Sequence, residues 1–241
     1  MIKDTLALLY DHDDFMETIK TVVDMGAGDG TDALWWATRT TRDDEEPVPL
    51  GIKVYAVDRV YENIDRKSHK NINWITRDFK DTGIEKQVDM IWCHDAFQYA
   101  SDPLGTLAHW HCIMNKDAML CLTVPYNHSL REFRHEPRID TITRPGAYFN
   151  YTLSNLILLL ASSGFDCRGG HFKFVVNSGW MHAAVYKGDA KPQVYMDWYE
   201  LIGQKLLPPS AEQAIMKNGC LRDSDLVLEW IDHDIYSLSL Q

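Results

Sequence analysis

Through most of the chain, short runs of apolar and β-branched residues alternate with longer stretches in which apolar residues recur at helical spacing. TVVDMG (Thr21 to Gly26), KVYAVD (Lys53 to Asp58), NWITRD (Asn73 to Asp78), VDMIWCH (Val88 to His94) and MLCLTVP (Met119 to Pro125) each read as a buried strand. DALWWATR follows the first, PLGTLAHWHCIM the fourth and YTLSNLILLLASSG the fifth, and each can cross back as a helix. Strand, helical crossover and parallel strand make a βαβ unit. Its repetition predicts an α/β fold with a doubly wound sheet.

The pattern changes near His171. HFKFVV (His171 to Val176) and WMHAAVYK (Trp180 to Lys187) are joined by Asn177, Ser178 and Gly179, too short a link for a parallel crossover. An antiparallel hairpin, and therefore a mixed sheet, is expected there. Beyond Gly188 the spacing turns helical: Trp198, Leu201, Ile202, Lys205 and Leu206 form one run, Pro208 and Pro209 stop it, and DSDLVLEWID starts another behind acidic or serine caps. Residues 1–187 thus read as the main domain and 188–241 as a helical appendage. RTTRDDEEPVPLG (Arg39 to Gly51) is polar and proline-bearing and reads as a solvated loop.

Composition narrows the picture. The chain has 241 residues, 45% hydrophobic and 24% charged, a balance that suits one large globular domain with an appendage. Its longest strongly apolar stretch, Leu156 to Ala161, is far below the roughly 18 residues of a membrane span, and MIKDTLALLYDHDDF does not have the form of a secretory signal. No membrane association and a cytoplasmic location are expected. Cys93, Cys112, Cys121, Cys167 and Cys220 are scattered and odd in number, so reduced thiols are expected in preference to a disulfide or zinc framework. The net charge of −11 disfavours a nucleic-acid partner, DNA above all.

The candidate chemistry begins where the first strand runs through Asp24 and Met25 into Gly26, Ala27, Gly28, Asp29 and Gly30, followed by Thr31, Asp32 and a helix. Glycines at three alternate positions permit a sharp turn and let a ligand lie against the backbone. The spacing is GxGxG, with Thr31 where a dinucleotide fingerprint has its third glycine. Asp24, Asp29 and Asp32 would repel a pyrophosphate at this helix start and would attract a ligand carrying an ammonium and a sulfonium. Asp58, at the tip of the second strand, is placed to accept hydrogen bonds from ribose hydroxyls. Asp78 and Phe79 could meet an adenine amino group and ring face, with a helix cap as the competing reading for Asp78.

Taken in order, VVDMGAGDGTDALWWA, KVYAVD, WITRDF and VDMIWCHDAFQYASDPLGTLAHWHCIMNKDAMLCLTVP resemble the successive motifs of class I S-adenosylmethionine-dependent methyltransferases, particularly the small-molecule type. The resemblance covers about Asp11 to Lys187. It implies a Rossmann-like seven-stranded mixed sheet of order 3-2-1-4-5-7-6 with the last strand antiparallel. It also implies S-adenosyl-L-methionine as cofactor and S-adenosyl-L-homocysteine as product. Carried over by residue, Asp24 and the backbone of Gly26, Ala27, Gly28 and Gly30 would hold the methionine moiety, Asp58 and Arg59 the ribose, and Asp78 and Phe79 the adenine. His94 would border the cofactor near the sulfur. The chain departs from the family before the fifth strand, where MNKDAML replaces a glycine-containing turn.

Methyl transfer from a sulfonium is an in-line displacement that mainly requires positioning, with a base needed only when the acceptor loses a proton. The ends of strands four and five offer Asp95, Gln98 and Tyr99, then Tyr126, Asn127 and His128. His94 or His128 is the candidate base, Tyr126 a further catalytic candidate, and Asp95, Gln98, Tyr99, Asn127 and Arg131 the candidate acceptor contacts. HDAFQY lacks the [DN]PPY signature of enzymes that methylate adenine or glutamine nitrogens. The segment Tyr126 to Asn150 reads either as a substrate lid whose arginines would suit an anionic acceptor or equally as a solvated connection balancing local acids. No metal ligand set is evident. The expected activity is methyl transfer to a small molecule; RNA or protein methylation and a non-catalytic binding module stay open, as does the oligomeric state.

Overall fold

The computed structural model describes residues 17–41, 48–59, 65–85, 88–125, 148–149, 151–168, 172–177, 180–192 and 198–226. Its centre is one sheet of β1 (Thr21–Met25), β2 (Lys53–Asp58), β3 (Ile72–Thr76), β4 (Val88–His94), β5 (Met114–Pro125), β6 (Phe165–Asp166), β7 (Phe172–Asn177) and β8 (Trp180–Lys187). β3, β2, β1, β4 and β5 lie side by side and parallel, and β8 follows antiparallel to β5. β6 and β7 pair with successive stretches of the outer side of β8, so together they act as one interrupted edge strand. Counted that way, the order is the expected 3-2-1-4-5-7-6 and the fold is the Rossmann-like methyltransferase fold.

Side-chain alternation divides the strands between two cores. Val22, Val54, Ala56, Met90, Trp92, Met119 and Cys121 face one cluster, which α1 (Thr31–Ala37) closes with Ala33, Trp36 and Ala37. Trp36 meets Trp92 edge to face with ring centroids 5.4 Å apart. Val23, Met25, Val57, Ile91, Cys93, Leu120 and Leu122 face the other cluster, covered by α2 (Pro103–Ile113) and α3 (Leu153–Ser162). All five cysteines are free thiols, three of them buried. Among the described residues no helix is long and apolar enough to cross a membrane.

Three boundaries differ from the sequence reading. β3 stops at Thr76, so Asp78 lies in a turn where its Oδ1 accepts the Lys80 N–H at 3.1 Å. β5 begins at Met114, five residues before Met119, and its register against β4 shifts between Val88 and Met90. Asp117 there has φ +62, the left-handed conformation that a turn glycine would otherwise supply and that aspartate tolerates better than most residues. The run from Trp198 breaks earlier than its spacing predicts: α4 (Trp198–Gly203) ends before Lys205, whose φ of +57 turns Leu206 and Leu207 inward. The flanks of the polar insertion meet in a bridge between Thr40 and Pro49, and residues 42–47 lie outside the described residues.

Residues 198–226 share the larger core. Leu201, Leu206, Leu207, Leu226 and, from α5 (Pro209–Asn218), Ala211 and Ile215 pack in the cluster that holds α3. Asp223–Asp225 is a single 3-10 turn, and the expected helix beyond it falls outside the described residues. Asp223 reaches the start of α3, accepting the N–H groups of Ser154 at 2.8 Å and Leu153 at 3.3 Å, while Thr152 accepts that of Asn155. These are N–H groups that a helix cannot satisfy itself. Asp223→Ala is expected to lower the unfolding free energy by about 1–2 kcal/mol, read from the urea midpoint at unchanged slope.

Candidate functional site

The C-terminal ends of β1 and β4 open onto a cavity of about 160 Å³ lined by Asp24, Gly28, Asp29, Asp32 and His94, with Gly26, Ala27 and Thr31. This is the edge of a doubly wound sheet at which ligands bind. Two larger hollows, about 630 and 640 Å³, flank Lys187 to Ala190 at the opposite end of β5, away from this crevice.

The glycine loop is shaped by packing at two of its three glycines. Gly26, Gly28 and Gly30 all have positive φ, at +84, +53 and +82. A Cβ on Gly26 would come within 2.2 Å of the Ala96 Cβ, and one on Gly30 within 2.6 Å of the Trp74 ring. A Cβ on Gly28 would meet nothing within 4 Å, so that glycine faces open space. The glycine amides already have protein partners: Gly26 N–H donates to Val57 O at 2.8 Å, Gly28 N–H to Asp58 Oδ2 at 3.0 Å and Gly30 N–H to Ala27 O at 2.7 Å. These three amides are therefore spent within the protein and are not an anion-binding nest.

Asp24 is 2% exposed, and its Oδ2 is sealed from solvent with no hydrogen-bond partner among the described residues. Burial first, then the neighbouring Asp32, Asp58 and Asp29 carboxylates, push its carboxyl well above the usual carboxylate range, opposed only in part by the Ala33 N–H. Asp29 is held low by the Thr31 hydroxyl and N–H. Asp58 carries the Gly28 amide on Oδ2 and the Arg59 N–H on Oδ1 at 2.6 Å, which ties the tip of β2 to the loop.

Arg59 donates to Tyr99 O at 2.9 Å, lies 3.7 Å from the Asp78 carboxylate and places its guanidinium 5.7 Å from the centre of the Phe79 ring. Phe79 itself is buried, with its ring in the larger core. One side of the crevice is therefore closed by Arg59, and access to the Phe79 face requires that arginine to shift.

His94 and Asp32 meet with Nδ1 3.2 Å from Oδ2, and the same Oδ2 accepts the Trp92 indole N–H at 2.8 Å. His94 Nε2 is sealed from solvent and has no protein partner. Asp95 stands at φ +56, and Gln98, fully buried, donates its amide N–H to Asp95 Oδ1 at 2.7 Å. Gln98 Oε1 is unpartnered, and its main-chain oxygen accepts the N–H groups of Tyr148 and Phe149. Tyr126, Asn127, His128 and Arg131 lie outside the described residues. Asp32 was visible in sequence only as a charge at a helix start; nothing in a linear pattern links it to residues 60 and more positions away.

Residues 23–122 match a family model described as a methyltransferase domain. That stretch of the chain carries a methyltransferase domain. No curated protein matches its sequence. Among solved structures, the methyltransferase is similar in fold to the Burkholderia thailandensis 1,6-didemethyltoxoflavin-N1-methyltransferase bound to 1,6-didemethyltoxoflavin and S-adenosylhomocysteine. The two are 16% identical over 77% of each chain, with a TM-score of 0.55. An S-adenosylmethionine-dependent methyltransferase from Aquifex aeolicus is 18% identical over 76% of this chain and 89% of its own, with a TM-score of 0.52. A Galdieria sulphuraria protein described as a sarcosine dimethylglycine methyltransferase is 14% identical over 78% and 86%, with a TM-score of 0.59. The Burkholderia thailandensis protein holds S-adenosylhomocysteine, and the Aquifex aeolicus protein depends on the cationic S-adenosylmethionine. The buried unpartnered oxygen of Asp24 and the open space at Gly28 fit a cationic ligand of that kind.

Two outcomes are expected of this geometry. Gly30→Ala should destabilise the fold through Trp74, whereas Gly28→Ala should cost only about 1–2 kcal/mol of backbone strain yet weaken S-adenosylhomocysteine binding, by melting and calorimetry respectively. Because the folded pKa of Asp24 is raised above 3.8, its contribution to stability is present below that value and lost as pH rises through the raised pKa. Ligand-free Asp24→Asn should therefore melt higher than the natural protein at neutral pH, with the gap closing towards pH 4.

Proposed function

We propose that this methyltransferase acts on a small-molecule acceptor bound beside His94, with the cofactor held between β1, β2 and β4. The observation that carries the reading is that Asp24 and His94, two residues lining one cavity, each keep a buried polar atom, Oδ2 and Nε2, with no hydrogen-bond partner among the described residues. The Asp24 carboxylate is suited to a methionine ammonium and the Gly28 wall to the chain behind it. Asp58, whose carboxylate accepts the Gly28 and Arg59 N–H groups at the tip of β2, is proposed for the ribose hydroxyls. Asp78 and Phe79, behind Arg59, are proposed for the adenine. When bound, S-adenosylmethionine supplies an activated methyl group on a cationic sulfur. His94 is proposed to take the acceptor's proton; Asp95, positioned by Gln98, and Tyr99 are proposed to border the acceptor.

A small acceptor is supported by charge. Asp24, Asp29 and Asp32 line the crevice in a chain of net charge −11, a field that opposes a nucleic-acid backbone. It also accords with two proteins of similar fold, one bound to 1,6-didemethyltoxoflavin and one described by its action on sarcosine and dimethylglycine.

Labelled-methyl transfer to cell extract separated into small-molecule, RNA and protein fractions is expected to place the counts in the small-molecule fraction. Counts confined to RNA or protein would overturn the acceptor class. Asp58→Ala should weaken S-adenosylhomocysteine binding by about 1–3 kcal/mol in calorimetry, and unchanged affinity would remove Asp58 from the site.

A further inference from the structure

We infer that Asp32 is a positioning residue that fixes His94 in the one tautomer able to act as a base, an inference that rests on the place of His94 in the proposed site. Trp92 and His94 are two residues apart on β4 and so project from the same face of the sheet, towards the first turn of α1. There a single carboxylate oxygen, Asp32 Oδ2, accepts from both, at 2.8 Å from the indole nitrogen and 3.2 Å from His94 Nδ1. Trp92 is fully buried, so its indole N–H anchors the carboxylate from a rigid side chain.

An ionised carboxylate can only accept, so the proton of a neutral His94 sits on Nδ1. Nε2 then carries the lone pair. It is buried in the ligand-free protein, and no group among the described residues hydrogen-bonds to it. Asp24 from β1, Asp29 from the glycine loop and Asp32 from α1 are the ionisable groups that line the cavity with His94. All are acids, so a positive charge developing on the imidazole is stabilised.

The step this arrangement serves balances simply. The bond between hydrogen and the acceptor atom breaks, and the proton passes to His94 Nε2. The acceptor's electron pair forms the bond to the methyl carbon as the carbon–sulfur bond breaks, its electrons remaining on sulfur. The imidazolium, held by Asp32, later releases the proton to solvent. An acceptor that bears a removable proton, such as a hydroxyl, amine or activated carbon, is the class that uses this device.

The test is nitrogen-15 NMR of His94 in the whole ligand-free protein, with Asp32→Ala and, because the Ala variant orphans the Trp92 N–H, Asp32→Asn as its isosteric companion. The natural protein is expected to show Nδ1 protonated and Nε2 bare, and loss of the carboxylate to move the proton to Nε2. In parallel, the initial rate of labelled-methyl incorporation into the small-molecule extract fraction at saturating S-adenosylmethionine should fall about 10- to 100-fold in both variants. Affinity for S-adenosylhomocysteine is measured on the same variants, so that the rate at saturating cofactor is read apart from any loss of binding through Asp32, which lines the cavity. A proton on Nε2 of the natural protein, or an unchanged tautomer in both variants, would overturn the inference. Loss of S-adenosylhomocysteine binding in the natural protein would instead remove the proposed cofactor site, and the tautomer result would still decide the role of Asp32.

Discussion

A carboxylate sealed at the end of a central strand without a countercharge is the constraint on which the crevice depends. Asp24 is buried between two valine- and methionine-bearing strand positions, with Asp32, Asp58 and Asp29 close enough to raise its pKa and one backbone N–H to oppose them. An isolated buried charge is costly in any protein interior. The group is tolerated because it can stay protonated in the free protein and because the methyltransferase's ligand brings the charge it lacks. Burial, glycine geometry and the two orphaned acceptors of the cavity are then aspects of one arrangement, in which the fold is locally less stable so that a cation can be held.

Much of this architecture was legible along the chain. The βαβ alternation and the short link between residues 176 and 180 define the order and sense of the strands, because a two-fold alternation and a link of three residues leave few topologies. The glycine loop was legible as a ligand-facing turn, but not the division of labour within it. Spacing treats Gly26, Gly28 and Gly30 alike, whereas the first is required by Ala96 and the third by Trp74, residues that come near only when the sheet closes.

What was not legible is tertiary in origin. The meeting of Asp32, Trp92 and His94 depends on how α1 lies across β4, and no local propensity encodes that crossing. Arg59 over Phe79 depends on a side chain turning back across the sheet edge. The missing glycine before Met119 looks like a departure from the family, yet the strand already runs from Met114 and Asp117 within it takes up a left-handed backbone conformation. Local rules identify the kind of residue that usually solves a geometric problem, and the fold admits another residue that solves it as well.

The carboxylate that seats the start of α3 is supplied from about seventy residues further along the chain. A ribosome must therefore deliver about seventy further residues before the main-chain donors of Leu153 and Ser154 find their protein acceptor. Until then water must meet those donors, so this helix start is seated only once a distant segment has docked on the same core.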